Sequence, residues 1–352
     1  MAVTVARLCQ FAGALLEAGG LAPADARQTA ETLVAADCFG HHTHGLALLP
    51  RYLAQLSAGT MSARGEVVLV RDGGAVLLLD GGLLPGPVVV HRALSHGLAR
   101  VPQHGAVSIV IRNSAHIACL ATYLERAVER GLMMLIVSSN PAVALVAPHG
   151  GTFPAYSPNP LAFGFPTAGD PVLVDISLSS VSANACRQAA EQGRRLSGAY
   201  LKRSDGSVTD DPSALFSPTP AALMPLGGAD LGYKGFGLAL MIEMLTSGLA
   251  GEGRSLDGVR FSNSVFIYLA DPEAFGGVEH MTREGSWLVR ACREAGAEGD
   301  VRLPGERALR KRRDALVDGL SLPPGTLREL DTCARRSGVA TLQDAAIPQD
   351  MA

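Results

Sequence analysis

The sequence contains no CxxC pair, no long uninterrupted apolar run and no marked excess of one charge. Its six cysteines are single and scattered, which is typical of reduced core residues in a cytoplasmic protein: Cys9, Cys38, Cys119, Cys186, Cys292 and Cys333. Without a run of membrane-spanning length, and without a hydrophobic signal segment in residues 1–10, we expect no membrane partner. A net charge of −3, with acids and bases interspersed, gives no reason to expect a nucleic-acid partner.

The common nucleotide-binding motifs are also missing. No GxGxxG follows a predicted strand, as a classical dinucleotide-binding fold requires, and the nearest approximation, residues 81–86, has the wrong spacing and contains Pro85. Residues 232–235 lack the preceding four-residue loop and the following Ser or Thr of a P-loop. A nucleotide that binds this chain therefore has to bind in another way.

The sequence does contain a large apolar fraction in alternating patterns. A length of 352 residues predicts two domains, and 47% hydrophobic with 18% charged residues indicates a well-buried globular core. Residues 140–167 and 204–220 show neither a helix nor a strand pattern and are predicted loops, the second with a turn at Asp205-Gly206. Alternating helices and strands predict an α/β or α+β core, with helices at 24–37, 46–56, 88–98, 120–130 and 232–249 and strands at 75–79, 107–111, 132–137, 172–174 and 265–268.

Three histidines lie within four residues between two predicted helices, at His41, His42 and His44. Such a cluster suits proton transfer near neutral pH, metal ligation, or simply a polar surface loop. A zinc site needs further ligands with their own spacing, and the sequence has neither HExxH nor paired cysteines. We therefore favour a catalytic histidine and predict no metal, with a metal-dependent hydrolase as the remote alternative.

The residues around this cluster resemble a known family. Residues 36–45, followed by Leu49-Pro50 and Tyr52, resemble the Asp, Gly-His, Ser-His-Gly, Pro, Tyr pattern of the type-2 malate/L-lactate dehydrogenases. That family also includes ureidoglycolate, sulfolactate and diketogulonate enzymes and the reductases of cyclic imino acids. The resemblance continues in the family's order through residues 113–118, Asn140, 147–151, 159–163, 175–179, 225–228, 232–238 and 303–307.

The resemblance implies an architecture and an assembly. It implies a non-Rossmann α/β (α+β) fold, in which residues 1–70 and 280–352 form a helical domain. Residues 71–279 would form a mixed, largely antiparallel sheet domain that holds the cofactor. It also implies a homodimer whose active site lies near the subunit interface.

The resemblance also implies roles for individual residues. His44 would donate a proton while a nicotinamide supplies hydride to C=O or C=N, and the Thr43 hydroxyl would hold the imidazole. Lys234 would neutralise a cofactor phosphate, although it could also be a solvated residue at the start of a helix. For Asp175, a role as a strand-end turn residue is as plausible as a cofactor contact. The full set of implied cofactor contacts is His116, Ile117, Ala118, Asn140, Asp175, Ser177, Lys234, Gly235, Pro304, Gly305 and Arg307.

Three departures from the family pattern concern the substrate. Leu48 stands where the family has an arginine for the substrate carboxylate, and Arg51, about one helical turn away, is a candidate replacement. Pro158, next to Asn159, replaces a substrate-contacting threonine, and both are predicted to line the substrate site. Asn184-Ala185 replaces the aspartate that completes a relay in the imine reductases. His42, where the family often has an aspartate, compounds this loss of negative charge.

These observations predict an NAD(P)H-dependent oxidoreductase that reduces the C=O or cyclic C=N bond of a small, unusual and biosynthetic substrate. The alternative is a catalytically degenerate homologue that binds nucleotide without turnover. Basic residues near the C-terminal motif favour NADP over NAD, because a 2′-phosphate needs positive partners; they are Arg302, Arg307, Arg310 and Lys311.

Overall fold

A seven-stranded sheet forms the centre of the protein, in a computed structural model that describes residues 2–256, 260–297 and 301–342. The strands of this sheet are β1 (Val68–Asp72), β2 (Val76–Asp80), β3 (Ala106–Ser114), β4 (Met133–Ser139), β5 (Leu161–Phe165), β6 (Val172–Ile176) and β10 (Asn263–Ala270). A second, three-stranded sheet contains β7 (Leu201–Lys202), β8 (Val208–Thr209) and β9 (Ala222–Leu223).

The helices are α1 (Val5–Ala18), α2 (Pro23–Cys38), α3 (Leu49–Ser57), α4 (Gly86–His104), α5 (Ala121–Val128), α6 (Ala183–Glu191), α7 (Gly228–Glu243), α8 (Val278–Glu294), α9 (Glu306–Asp318) and α10 (Pro324–Ser337). Several begin at local signals that the sequence carries. Thr4 caps α1 by accepting a hydrogen bond from the Arg7 backbone N–H, and Ser182 caps α6 in the same way through Ala185. Pro23 occupies the first turn of α2, where its missing N–H costs nothing.

The large sheet has the order β1-β2-β3-β10-β4-β5-β6. Only β2 and β3 pair in parallel, and α4 provides the crossover between them; every other neighbouring pair is antiparallel. The predicted mixed, largely antiparallel sheet is therefore confirmed. The β10 strand lies between β3 and β4 although it follows β4 in sequence by more than a hundred residues.

Two loop predictions were wrong. Residues 140–167 contain β5, whose alternating apolar side chains are flanked by Pro160 and Pro166 and interrupted by Gly164. Pairing with β4 and β6 stabilises this strand despite those residues. Residues 204–220 contain β8 and a 3-10 helix, Pro212–Phe216, as well as the expected turn at Gly206. The predicted helix at 232–249 begins earlier, at Gly228, and changes into a π-helix over Met244–Gly248.

The buried apolar side chains form three hydrophobic cores. The first lies between the large sheet and α4 and α5, and the second contains α1, α2, α3 and α10 with the chain up to Leu342. The third joins α7 to the small sheet. The division into domains at 70/71 and 279/280 remains a prediction. Within the described residues, no helix combines the length and the apolar content needed to cross a membrane.

Candidate active site

A cavity of 480 Å³ opens where the chain after α2, the β3–α5 connection and the ends of β4, β5 and β6 come together. Antiparallel pairing places the end of β4 beside the start of β5 and the end of β6, so these loops share one edge of the sheet. The cavity brings together eleven of the predicted site residues: Thr43, His44, Arg51, His116, Ile117, Ala118, Asn140, Pro158, Asn159, Asp175 and Ser177.

Five predicted cofactor residues lie outside this cavity. Lys234 is exposed on α7, with its Nζ 5.9 Å from the centre of the Tyr233 ring. Gly235 packs on backbone, since a Cβ there would lie 2.4 Å from the Leu226 carbonyl oxygen. Pro304, Gly305 and Arg307 are at the start of α9, where the Pro304 carbonyl accepts a hydrogen bond from the Leu173 N–H of β6 at 3.2 Å. The α9 N-terminus therefore lies against the strand that carries Asp175.

The turn of residues 41–45, which carries the three histidines and is called the histidine turn below, is held by a buried carboxylate. Asp37, at the end of α2, bonds to His42 Nδ1 through Oδ1 at 2.8 Å and accepts the Leu46 N–H through Oδ2 at 2.7 Å. Burial raises the pKa of Asp37, although both hydrogen bonds act to lower it. A Cβ at Gly45 would lie 2.3 Å from the Asp37 carboxylate, so only glycine fits there. The 3-10 helix His42–His44 is thus fixed from both ends.

His44 lies on the cavity wall with one ring nitrogen occupied. Its Nδ1 is 2.9 Å from the Thr43 hydroxyl, which leaves Nε2 to face a ligand. Removal from water lowers the pKa of His44, nearby Asp175 raises it, and His41 lowers it. The net direction is downward, so the imidazole is neutral at pH 7 and its charge depends on what binds beside it.

His116 is a second imidazole in the same wall, parallel to the first. The Ala118 N–H donates to its Nδ1 at 3.3 Å, while the Tyr52 hydroxyl donates to its backbone carbonyl at 2.7 Å. Burial lowers the pKa of His116 to about 3, and the charges of His44 and Arg51 act in the same direction. The ring is therefore neutral, with its proton on Nε2. Ala118 has a φ of +56°, a strained backbone that wraps this segment around the ring.

Asp175 ties the end of β6 to the start of α5 in the cavity wall. Its Oδ2 accepts the Ala121 N–H at the start of α5 at 2.9 Å and the Cys119 thiol at 3.4 Å. Within the described residues, one group has metal-ligating atoms within 4.8 Å of one another, namely His41, Cys119 and Asp175. Burial raises the pKa of the Cys119 thiol well above 9.0, so it remains a donor to Asp175. His42 and His44 are instead bonded to Asp37 and Thr43.

The residues that depart from the family pattern have different surroundings. The Leu48 side chain is 6% exposed and packs in the second core, away from the cavity. Arg51 lines the cavity with its guanidinium 5.3 Å from the centre of the Phe261 ring. Asn184 lies on α6 and donates from Nδ2 to the Thr43 carbonyl at 3.4 Å. The position of the relay aspartate therefore holds a neutral amide, which contacts the backbone of the segment that carries the three histidines.

The sequence analysis missed several residues of this site. Arg187 and Asn263 line the cavity, and an ion pair between buried Glu243 and partly exposed Arg254 lies behind its wall. Glu243 carried a usable signal, because a single acid within the apolar run 238–245 indicates a buried charge with a partner. Arg254 carried none, because its glycine-rich surroundings have no periodic pattern.

Comparison with known proteins gives consistent results. The family described as malate/L-lactate dehydrogenase matches residues 3–331. An L-lactate dehydrogenase of Cupriavidus necator is 31% identical over 332 residues, covering 90% of this chain and 93% of that protein. A (2R)-3-sulfolactate dehydrogenase (NADP(+)) of Chromohalobacter salexigens is 32% identical over 333 residues, covering 91% and 94%. The crystal structure of a delta1-piperideine-2-carboxylate reductase from Pseudomonas syringae superposes with a TM-score of 0.85 at 28% identity, covering 95% and 100%.

Proposed function

The chain belongs to the malate/L-lactate dehydrogenase family and is an NAD(P)-dependent dehydrogenase, and we propose that His44 donates the proton when the C=O or cyclic C=N bond of a small substrate is reduced. The observation that carries this proposal is the His44 imidazole itself. Its Nδ1 is bonded to the Thr43 hydroxyl at the cavity wall, and its Nε2 is left for substrate. A histidine fixed in this way is a general acid for reduction and a general base for the reverse reaction.

The cavity residues fit a nicotinamide cofactor. Asp175 and Ser177 lie at the end of β6, and residues 116–118, with the positive φ of Ala118, line the same cavity, so polar side chains and backbone are both available to a cofactor. When bound, the cofactor supplies the hydride. Asn140, with its backbone tied to Ser157, would help to orient it, and Pro304, Gly305 and Arg307 would extend the site along β6.

We favour NADP over NAD. Arg302, Arg307 and Arg310 are exposed near the start of α9, and Lys311 lies on the same helix. Lys311 is close to the histidine turn, since a Cβ at Gly40, the residue before His41, would lie 2.5 Å from the Lys311 Nζ. These cations suit a 2′-phosphate, and a relative whose name specifies NADP(+) agrees with that choice.

The substrate differs from malate and lactate in how its charge is recognised. Leu48 is buried in the helical core, so no cation lies at the position where the family binds a carboxylate. Arg51 is the substitute, because it lines the cavity and no carboxylate among the described residues pairs with it. A substrate with a C=N bond is equally compatible with the cavity. The similarity to a piperideine carboxylate reductase supports this second possibility.

We further propose a homodimer formed through α7 and the π-helix. This stretch exposes an unusually apolar face, whose side chains are 40–64% exposed: Leu231, Tyr233, Leu238, Leu240, Met241, Met244 and Leu249. Lys234 lies within that face, three residues after Leu231 and four before Leu238. Association of two copies would bring Lys234 toward the partner, where a cofactor phosphate would neutralise it. The free state of all six cysteines fits a cytoplasmic location.

The test is to titrate the purified protein with NADPH and NADH, and then to add a panel of 2-oxoacids, ketones and cyclic imines. Saturable binding with cofactor oxidation that is abolished in His44→Ala would support the proposal. The panel member that reacts would show whether a C=O or a C=N bond is reduced. Tight binding without turnover on any panel member would instead favour the nucleotide-binding homologue that does not catalyse. Failure to bind either nucleotide would overturn the proposal.

A further inference from the structure

Two loops contribute to the wall of the cavity. Residues 140–143 follow β4, and residues 157–159 precede β5. Neither loop has regular secondary structure, and Asn159 has a φ of +44°, in the left-handed region that residues other than glycine adopt infrequently. Some other contact must therefore hold both loops in place.

One guanidinium holds the first loop. Arg254 donates to three carbonyl oxygens of residues 140–143, at 2.9 Å to Asn140, 3.1 Å to Pro141 and 2.6 Å to Val143. Its remaining donors reach the Glu243 carboxylate at the end of α7, at 2.8 and 3.1 Å. Each of the five guanidinium N–H groups of Arg254 therefore has an acceptor.

The same carboxylate holds the second loop. Asn159, which is fully buried, donates from Nδ2 to Glu243 Oε1 at 3.0 Å and to the Ala239 carbonyl at 3.1 Å. Its Oδ1 accepts the Ser157 hydroxyl, so each polar atom of the Asn159 amide already has a partner within the protein. The predicted substrate contact at Asn159 is thus better explained as support for Pro158 beside it.

These bonds close into a ring. The Asn140 N–H donates to Ser157 Oγ at 3.0 Å, Ser157 donates to Asn159, and Asn159 donates to Glu243. Arg254 joins Glu243 to the Asn140 carbonyl, which returns to the starting residue. Glu243 is 6% exposed and Ser157 3%, so water does not substitute readily for these partners.

We propose that Glu243 and Arg254 are positioning residues for the reaction, which set the two loops of the cavity wall through a closed ring with Asn140, Ser157 and Asn159. The inference rests on the proposed function for its link to catalysis, and on the ring alone for its link to loop order. Because the five residues form one circuit, breaking it at any point loosens both loops. A contact that served only local packing would loosen one.

The test uses Ser157→Ala, Arg254→Lys and the double variant, with Arg92→Lys as the control. Arg92 also forms a two-bond pair with a carboxylate, Asp25, but away from the cavity. Ser157→Ala leaves the charged pair intact, and Arg254→Lys keeps the charge while removing the fork. Amide hydrogen exchange by mass spectrometry reports on residues 140–143 and 157–159 without requiring any activity.

We expect each single variant to speed exchange in both loops, including 157–159 in Arg254→Lys, which Arg254 does not touch. With the substrate found for the wild type, we expect kcat/KM of each single variant to fall about 10- to 100-fold. The double variant should lose no more kcat/KM than the more impaired of the two single variants. Exchange confined to the loop nearest each substitution, or additive losses in kcat/KM, would overturn the ring. Arg92→Lys should leave both loops unchanged. A wild type that lacks NAD(P)-linked turnover would refute the proposed function. The exchange data would still show whether the ring of hydrogen bonds holds both loops.

Discussion

The rings of His44 and His116 lie nearly parallel in the cavity wall, with centroids 6.0 Å apart and an interplanar angle of 22°. Each ring has its Nδ1 engaged by the protein, by the Thr43 hydroxyl in one case and by the Ala118 N–H in the other. The cavity therefore presents two neutral imidazoles side by side. Only His44 has a carboxylate, Asp175, that raises its pKa against the effect of burial.

The first prediction concerns the pH dependence of turnover. Because burial lowers the pKa of His44 below 6.5, oxidation of a hydroxy substrate should proceed at full rate down to that pH and decline below it. Reduction needs the protonated ring and should fall as the pH rises through the same inflection. Asp175→Asn removes the charge that raises this pKa, so the inflection should move lower. Profiles of kcat/KM in both directions measure it, and an inflection above pH 7 would contradict the assignment.

The second prediction concerns the Thr43 hydroxyl. Thr43→Val keeps the shape but removes the bond to His44 Nδ1, and the ring loses its orientation. We expect kcat to fall about 10- to 100-fold with cofactor affinity unchanged. Thr43→Ser retains the hydroxyl and should stay within about threefold of the wild type. Equal losses in the two variants would show that the methyl group matters more than the hydrogen bond.

The third prediction concerns stability in acid. Burial and the nearby Arg126 lower the pKa of His91 to about 4, against an ordinary value of 6.5. Below pH 6.5 the unfolded chain takes up a proton that folded His91 refuses until about pH 4, so the free energy of unfolding falls as the pH falls. At pH 5 this loss is about 2 kcal/mol. His116, with a pKa of about 3, adds a similar amount.

Urea unfolding of wild type and His91→Gln at pH 7.5 and pH 5 measures this effect. The variant should lose about 2 kcal/mol less than the wild type between the two pH values. His104→Gln is the matched control, because His104 is exposed and should leave the difference unchanged. An identical pH dependence in wild type and His91→Gln would mean that His91 is already charged in the folded protein.

The fourth prediction concerns the apolar face of α7. Leu238 and Met241 are 40% and 43% exposed at its centre, so Leu238→Lys with Met241→Glu should prevent two copies from associating. Sedimentation velocity at micromolar concentration should show a dimer for the wild type and a monomer for the variant. Val317→Lys, at a position that is 85% exposed on α9, should remain dimeric. A monomeric wild type would remove the proposed role of this face.

The fifth prediction concerns the charge of the substrate. Arg51→Ala should raise KM about 10- to 100-fold for an acidic substrate and leave KM for a neutral one unchanged, since the guanidinium is the proposed anion partner. Arg64→Ala serves as the control, because Arg64 is exposed and does not line the cavity. If acidic and neutral substrates respond equally to Arg51→Ala, the arginine acts by packing on Phe261 and not by charge.

The sequence predicted those features that local pattern determines. The helix at 24–37 and the strands at 107–111 and 265–268 have clear periodicity, and each is present with slightly different ends. The β5 strand was missed because Pro160 and Gly164 obscure its alternation, and only neighbours on both sides stabilise it. The order of the strands could not be read from periodicity at all.

The site divides in the same way. Residues around His44 and His116 belong to short continuous motifs, so their proximity to the cavity could be inferred from the sequence. The pairing of Glu243 with Arg254 could not, because it depends on a loop of residues 249–256 returning to the end of α7. For the same reason, the burial of Leu48 became evident only from the core that surrounds it.

The position of β10 has a consequence for synthesis on the ribosome. Its partners β3 and β4 are complete at Ser114 and Ser139, but the strand that joins them ends at Ala270. While the intervening residues are being translated, both partners expose unpaired edges rich in valine, isoleucine and methionine, the kind of surface that recruits other chains. The nascent protein should therefore depend on chaperone protection until the last third of the chain emerges.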